Sequence, residues 1–383
     1  MTSTGSKKIV YLTPALYMAG GVERVLTLKA NYFADYFGYD ITIILTEGKG
    51  EPLFYPLSEK IKVVNLDINF EELWACSFVK KVLVYLKKQR RFKKFLRAEL
   101  MRIRPDITIS LLRREINFIN EIPDGSKKIG ELHINRSNYR NFERNDSNVV
   151  KKLFSFFWMQ SLVRHLKKLD SFVVLTEEDK QAWTELDNVI VIPDPLPFKP
   201  ARFSSQQQKR VIAVGRYVYQ KGFDLLLQAW SMIEKQCLDW QLVVFGDGDR
   251  TVYERMREQL GIDEHRCQLR ERVLDIQKEY SNSSIFAFSS RFEGFGMVLI
   301  EAMACGLPVV SFDCPCGPKD IVTHGEDGLL VENGNVRKFA DSLLNLINDE
   351  SKRIAMAQKA RVNVCRFSLD VLAERWKELF NVL

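Results

Sequence analysis

Apolar and polar positions along the chain alternate between two periods. Ile9–Leu12, Tyr39–Leu45, Ile61–Leu66, Ile107–Leu112, Lys128–Ile134 and Ser171–Leu175 are short apolar or β-branched runs that predict strands. Between them Val22–Phe37 repeats apolar residues at helical spacing, a long basic helix fills Lys80–Arg104, and Thr176-Glu177-Glu178-Asp179 reads as a capped helix start. The rhythm stops at Ile192-Pro193-Asp194-Pro195-Leu196-Pro197 and the polar Ser204–Gln208, a linker by composition. A second series follows: strands Arg210–Val214, Trp240–Phe245, Ser284–Phe288 and Pro308–Phe312, with helices Phe223–Lys235, Thr251–Leu260 and Met297–Cys305.

Strands alternating with helices predict an α/β class in which a parallel sheet carries helices on both faces. The expectation is two facing Rossmann-like domains with a cleft between them. The first is 1–197 and the second is 198–367, with the last helix, 368–383, packing back on the first. The length of 383 residues fits this count.

Composition narrows the class further. With 46% hydrophobic and 27% charged residues the chain is globular rather than disordered. The longest stretch without a charge, Ile9–Val22, is too short for a membrane span and is broken by Pro14 and Gly20. It follows Lys7 and Lys8 but leads into an amphipathic helix pattern, so it is read as part of the fold rather than as a secretory leader. Seven scattered cysteines, with Cys314 and Cys316 too close for a metal pair, point to a reduced, cytoplasmic protein. The net charge of +7 is unevenly spread, since the basic residues of Lys80–Arg104 meet only Glu99 within the segment. They interleave with Val82, Leu83, Leu86, Phe92, Phe95 and Leu96, the mixture of a surface-seeking helix. Lys151–Lys168, with Phe154, Phe156, Phe157 and Trp158, has the same mixture; a solvated face or core packing is the alternative for each. Nothing resembles a nucleic-acid recognition motif.

The densest chemistry lies in Arg291-Phe292-Glu293-Gly294-Phe295-Gly296-Met297-Val298-Leu299-Ile300-Glu301, where a strand gives way to a helix. Glycines there let a ligand approach the backbone, and the first amides of the helix suit a phosphate. If the whole interval were helical, Glu293 and Glu301 would lie about 12 Å apart, beyond the roughly 5–9.5 Å of a glycosidase pair. They suit two parts of one elongated ligand better, although a solvated loop acid and an ordinary helix glutamate are the bland alternative.

This segment resembles the signature of glycosyltransferase family 4, retaining nucleotide-sugar transferases of the GT-B fold, whose two glutamates are also separated by seven residues. Gly20-Gly21-Val22-Glu23-Arg24 resembles the family's amino-terminal glycine turn. Val214-Gly215-Arg216 with Gln220-Lys221-Gly222 resembles its phosphate-binding pair, and Phe245-Gly246-Asp247-Gly248 its next strand end. The resemblance implies that Arg216 and Lys221 take the charge developing on a nucleoside diphosphate, together with amides in Gly294, Phe295, Gly296, Met297 and Val298. Glu301 would bond the ribose hydroxyls, Glu293 the donor sugar, and Gly20 and Gly21 would let backbone approach the diphosphate or acceptor. His133 would contact the sugar near the reacting carbon. The implied catalytic set is Glu293, His133, Arg216 and Lys221.

No nucleophilic carboxylate stands out, which favours front-face transfer over double displacement. Asp247-Gly248-Asp249 reads as a turn rather than a metal pair, so no cofactor and no metal are expected. Pro193-Asp194-Pro195 departs from the family's usual Pro-Asn-Gly. Asp313-Cys314-Pro315-Cys316-Gly317-Pro318-Lys319-Asp320 resembles a subgroup that builds bacterial surface polysaccharides from UDP-galactose-type donors. The expected activity is a retaining hexosyltransferase using a UDP-Gal, UDP-GalNAc or UDP-Glc donor. Its expected acceptor is a saccharide or polyprenyl-linked saccharide at the inner membrane face, with an anionic surface meeting Lys80–Arg104. A non-catalytic nucleotide-sugar-binding protein of the same fold is the rival. A dinucleotide oxidoreductase lacks the third glycine of its turn after Gly246 and Gly248.

Overall fold

The structure, a computed structural model, describes residues 6–75, 78–139 and 149–383, with side chains outside 73–81 and 149–155. The chain divides into two compact units. The first holds residues up to Leu175, Asp179–Pro193 and Leu369–Leu383; the second holds Thr176–Glu178 and Asp194–Ser368.

In chain order the first unit runs β1 (Lys8–Thr13), α1 (Gly21–Asp35), β2 (Asp40–Leu45), β3 (Lys62–Asn65), α2 (Phe78–Ile103), β4 (Ile107–Ser110), β5 (Lys127–Glu131), α3 (Val149–Leu166), β6 (Ser171–Val174), α4 (Glu177–Ala182, whose first two residues count with the second unit) and β7 (Val189–Val191). Among the described residues its strands form one parallel sheet in the order β3-β2-β1-β4-β5-β6-β7. Both faces are covered, so β1 is buried at five consecutive positions. Val10 and Leu12 pack towards Phe92, Leu96 and Leu100 of α2, whereas Ile9 and Tyr11 pack towards Leu26 and Phe33 of α1. The C-terminal helix Leu369–Val382 joins that second face, with Phe380 edge-on to Phe33 at 5.6 Å and Arg375 bonding the Val191 carbonyl at 2.7 Å.

The second unit repeats the plan with β8 (Arg210–Val214), α5 (Phe223–Ile233), β9 (Gln241–Gly246), α6 (Thr251–Gln259), β10 (Cys267–Glu271), α7 (Ile276–Ser281), β11 (Ile285–Phe288), α8 (Met297–Ala304), β12 (Val309–Asp313), α9 (Pro318–Ile321), β13 (Gly328–Glu332), α10 (Val336–Asn348) and α11 (Glu350–Asn363). Its parallel sheet has the order β10-β9-β8-β11-β12-β13. In both sheets the strand order reverses direction beside the first strand, between β1 and β4 and between β8 and β11. The carboxyl ends of those strands are where an open α/β sheet binds ligands.

The strands that hydrophobic runs did not predict, β7, β10 and β13, all lie at sheet edges. β10 exposes Arg270 and Glu271, and β7 spans three residues, so neither carries a long apolar run. β5 ends at Glu131 rather than Ile134, which moves His133 from the strand onto the loop that follows.

Candidate active site

In the second unit the loop after β8 and the loop after β11 meet at the reversal of strand order. Gly222 makes this possible: its φ is +61°, and an added Cβ would stand 2.1 Å from the Ser289 carbonyl oxygen. The Ser289 hydroxyl also donates to the Lys221 carbonyl at 2.9 Å. The loops are further joined through side chains. Lys221 Nζ lies 2.6 Å from Glu293 Oε1, with the side chains only 14% and 8% exposed. Gln220 Nε2 donates to the Phe292 carbonyl at 3.0 Å and to Glu293 Oε2 at 3.3 Å. Two of the residues singled out in the sequence are therefore an ion pair, and Gln220, which the motif contains without an assigned role, holds the same carboxylate.

Gly296, with a φ of +103°, starts α8, so Met297 and Val298 occupy the first turn, where amides have no acceptor within the helix. The same turn brings Glu301 inward to 5% exposure, where the Tyr280 hydroxyl donates to it at 3.3 Å. Phe295 is buried with its ring 5.5 Å from that of Phe367, so it offers a ligand its backbone and not its ring. Gly294 is half-buried between Glu293 and Phe295. Arg216 is exposed, and its guanidinium meets no acidic side chain among the described residues. Under Glu293 lies the buried Cys314 thiol, which burial and the nearby carboxylate push well above its ordinary range. Asp247 and Asp249 serve the turn: Asp249 accepts from the Thr251 amide at 2.9 Å, and Asp247 stands 3.4 Å from Arg272. His324 accepts from the Leu330 amide at 3.0 Å beside β13, a structural task.

In the first unit Gly20 caps α1 in an extended conformation, and its missing Cβ leaves room for the Glu23 carboxylate. A Cβ on Gly21 would meet nothing within 4 Å, so the fold itself does not demand a glycine there. His133 Nε2 lies 3.2 Å from Glu131 Oε1, and the same oxygen is bonded by Lys29 from α1. Lys29 and Glu131 are 2% and 1% exposed, and the Lys29 ammonium sits 4.4 Å from the ring centroid of Trp376. Burial pushes the Glu131 carboxyl up, but Lys29 and His133 outweigh it and bring the value to about 2. Burial and the Glu131 charge raise the neighbouring Tyr11 hydroxyl. A lysine in an amphipathic helix and a strand-end glutamate carry no sequence signal of such a pair, and both were missed.

The basic helix is partly committed to the fold. Lys88 donates to the carbonyls of Ile68 and Asn69, each at 2.7 Å, and pairs with Glu72; Lys93 pairs with Glu121. Leu83, Leu86, Lys87, Arg90, Lys94 and Arg97 remain exposed along one stripe. Lys80 and Lys81 lie outside the described side chains. In α3, Phe156 and Phe157 are exposed and Trp158 packs on Tyr139 at 5.7 Å; Phe154 is not described. Among the described residues no helix is long and apolar enough to cross a membrane.

Residues 198–363 match the family described as glycosyl transferases group 1. Over 376 residues, 97% of this chain and 99% of the relative, the sequence is 30% identical to an uncharacterized glycosyltransferase of Haemophilus influenzae. The chain belongs to this glycosyltransferase family. The transferase is also 27% identical over 385 residues, 98% of its length and 99% of the relative's, to the amylovoran biosynthesis glycosyltransferase AmsD of Erwinia amylovora. Among solved structures it matches TarM with a TM-score of 0.78 at 17% identity, covering 100% of both chains. It matches Anabaena HepE in complex with UDP with a TM-score of 0.73 at 18% identity, covering 98% of this chain and 100% of that one. These likenesses place the fold of the transferase, two parallel-sheet Rossmann-like domains, among GT-B glycosyltransferases.

Proposed function

We propose that the protein is a retaining, metal-independent family 4 glycosyltransferase of surface polysaccharide synthesis. It moves a hexose from a UDP-Gal, UDP-GalNAc or UDP-Glc donor to a saccharide or polyprenyl-linked saccharide at the cytoplasmic face of a membrane. The observation that carries this reading is the buried Lys221–Glu293 pair at the carboxyl ends of β8 and β11, beside the first turn of α8. It puts a cation for a diphosphate and a carboxylate for sugar hydroxyls in one place. The names of the relatives support the polysaccharide role, since AmsD is an amylovoran biosynthesis enzyme.

In the proposed reaction the bond between the anomeric carbon and the β-phosphate oxygen breaks. A bond from the same carbon to the acceptor oxygen forms on the same face, and the acceptor proton passes to the departing phosphate. Arg216, Lys221 and the amides of Met297 and Val298 receive the growing charge, the work a metal does elsewhere. Glu301 takes the ribose, Glu293 the sugar hydroxyls, His133 the sugar near the reacting carbon, and Gly20 and Gly21 leave space at the start of α1. Calorimetry with UDP tests the assignment: Glu301→Ala and Lys221→Ala should each weaken binding about tenfold or more, and unchanged affinity in both overturns it.

The exposed stripe of α2 supports an anionic membrane surface as the second partner, with Leu83 and Leu86 at one end and Lys87, Arg90, Lys94 and Arg97 following. Reversing Lys87, Arg90 and Lys94 to Glu should abolish sedimentation with phosphatidylglycerol vesicles; retained binding contradicts the role. No observation favours the rival reading of a non-catalytic binding protein.

A further inference from the structure

Arg291 has no part in the chemistry described above, yet its side chain ties the loop after β11 to the loop after β8 and the start of α5. Its guanidinium makes a forked pair with Asp224 of α5, at 2.8 and 2.6 Å, with the side chains 18% and 29% exposed. The same fork donates to the Tyr219 carbonyl at 2.8 Å, and the guanidinium carbon lies 4.1 Å from the centre of the Tyr219 ring. Its own amide donates to the Gln220 carbonyl at 2.8 Å, and its carbonyl accepts from Asn333 at 3.3 Å. Burial raises the Asp224 carboxyl, but the Arg291 pair outweighs this and holds it below its ordinary range.

Each of these contacts falls close to the Lys221–Glu293 pair in sequence. Tyr219 and Gln220 immediately precede Lys221, Asp224 follows it by one turn, and Arg291 stands two residues before Glu293. A lysine cannot replace this arrangement, because only the planar guanidinium grips a carboxylate with two donors while stacking on a ring. An isolated exposed ion pair contributes little, whereas a fork that also holds the Tyr219 carbonyl, on a residue whose own amide bonds the Gln220 carbonyl, fixes the distance between two loops. Lys221 is long and flexible, and it presents its ammonium usefully only if its loop stays seated against the end of β11.

We propose that Arg291, locked by Asp224, is a positioning residue for glycosyl transfer: it seats the loop after β8 against the loop after β11 so that Lys221 and Glu293 are presented together. The inference rests on the reading of Lys221 and Glu293 as donor-binding groups. Arg291 acts on the donor only through them.

The test is a double-mutant cycle on the full chain, with UDP affinity measured by calorimetry and folding checked by thermal unfolding. Arg291→Met should weaken UDP about tenfold and Asp224→Asn should follow it, while Arg291→Lys should recover only part of the loss. In a Lys221→Ala background Arg291→Met should change UDP affinity less than about twofold, because the group it presents is gone. If Arg291→Met unfolds the protein, Arg291→Lys and Asp224→Asn are read in its place. An equal loss in both backgrounds, or no loss from any of the three, overturns the positioning role and leaves the donor site standing. Unchanged UDP affinity in Lys221→Ala itself overturns the donor-site reading, and the positioning role with it.

Discussion

Substituting Glu293 by Gln should tighten the binding of UDP while abolishing transfer. Without donor, the Lys221 ammonium is held by the Glu293 carboxylate at 2.6 Å in a largely buried setting. A phosphate oxygen can take that ammonium only if the pair opens. A hydrogen bond to a charged group contributes about 1.5–3 kcal/mol net, and binding of UDP, which lacks the donor hexose that would engage Glu293, must give this up. Glutamine keeps the shape and the bond from Gln220 but releases the lysine charge, so UDP should bind Glu293→Gln about ten- to 150-fold more tightly than the natural protein. Loss of the pair should lower the melting temperature of the UDP-free variant, by about 2–4 °C per kcal/mol lost, and by linkage UDP should stabilise it more than it stabilises the natural protein. Calorimetry and thermal unfolding with and without UDP measure both arms. Affinity for UDP that is unchanged or weaker in Glu293→Gln would refute the reasoning, because Lys221 would then not be exchanging between carboxylate and phosphate.

Other expectations concern the first unit and the glycine turns. Lys29→Met should cost about 3–5 kcal/mol at neutral pH, since it strands the buried Glu131 charge. The folded Glu131 carboxyl lies at about 2 against an ordinary 4.5, so the pair's contribution is complete above 4.5 and is lost as the pH falls towards 2. Chemical denaturation should therefore show the gap between Lys29→Met and the natural protein narrowing from pH 7 to pH ~3.5; a constant gap contradicts the ionised pair. Gly222→Ala should destabilise by about 2 kcal/mol or more, with φ at +61° and its Cβ 2.1 Å from a carbonyl oxygen. Gly21→Ala, whose Cβ meets nothing, should stay within about 0.5 kcal/mol in denaturation yet lose transfer activity. Equal stability losses for the two glycines would remove the argument that Gly21 makes room for a ligand.

Much of this architecture was legible in the order of residues because parallel strands buried on both faces, such as Ile9–Leu12 and Arg210–Val214, read as apolar runs between helical periods. The edge strands β7, β10 and β13 were not: the apolar stretches of β7 and β13 are only three residues long, and β10 ends in the exposed Arg270 and Glu271. The site divides along the same line. Gly296, Met297, Val298 and Glu301 share one strand-to-helix turn, so spacing alone groups them. The pairing of Lys221 with Glu293 spans 72 positions and depends on Gly222 bringing a backbone against Ser289. Lys29 and Glu131, 102 positions apart, meet only because α1 packs on the face of the sheet where β5 ends. In the chain Lys29 looks like any solvated helix lysine. The basic run of α2 shows the opposite error, because Glu72 and Glu121 reach it from other elements and neutralise part of a charge that seemed unopposed.

The central claim is that this chain transfers a hexose from a nucleoside diphosphate through the site at the ends of β8 and β11. It is tested most directly by incubating the protein with UDP-Gal, UDP-GalNAc or UDP-Glc and a panel of saccharide and polyprenyl-linked acceptors, then following UDP and product by mass spectrometry. The account predicts stoichiometric UDP and glycosylated acceptor with at least one donor, undiminished by EDTA and abolished in Glu301→Ala. Binding of the UDP-sugar without product, or product formation that survives Glu301→Ala, would contradict it.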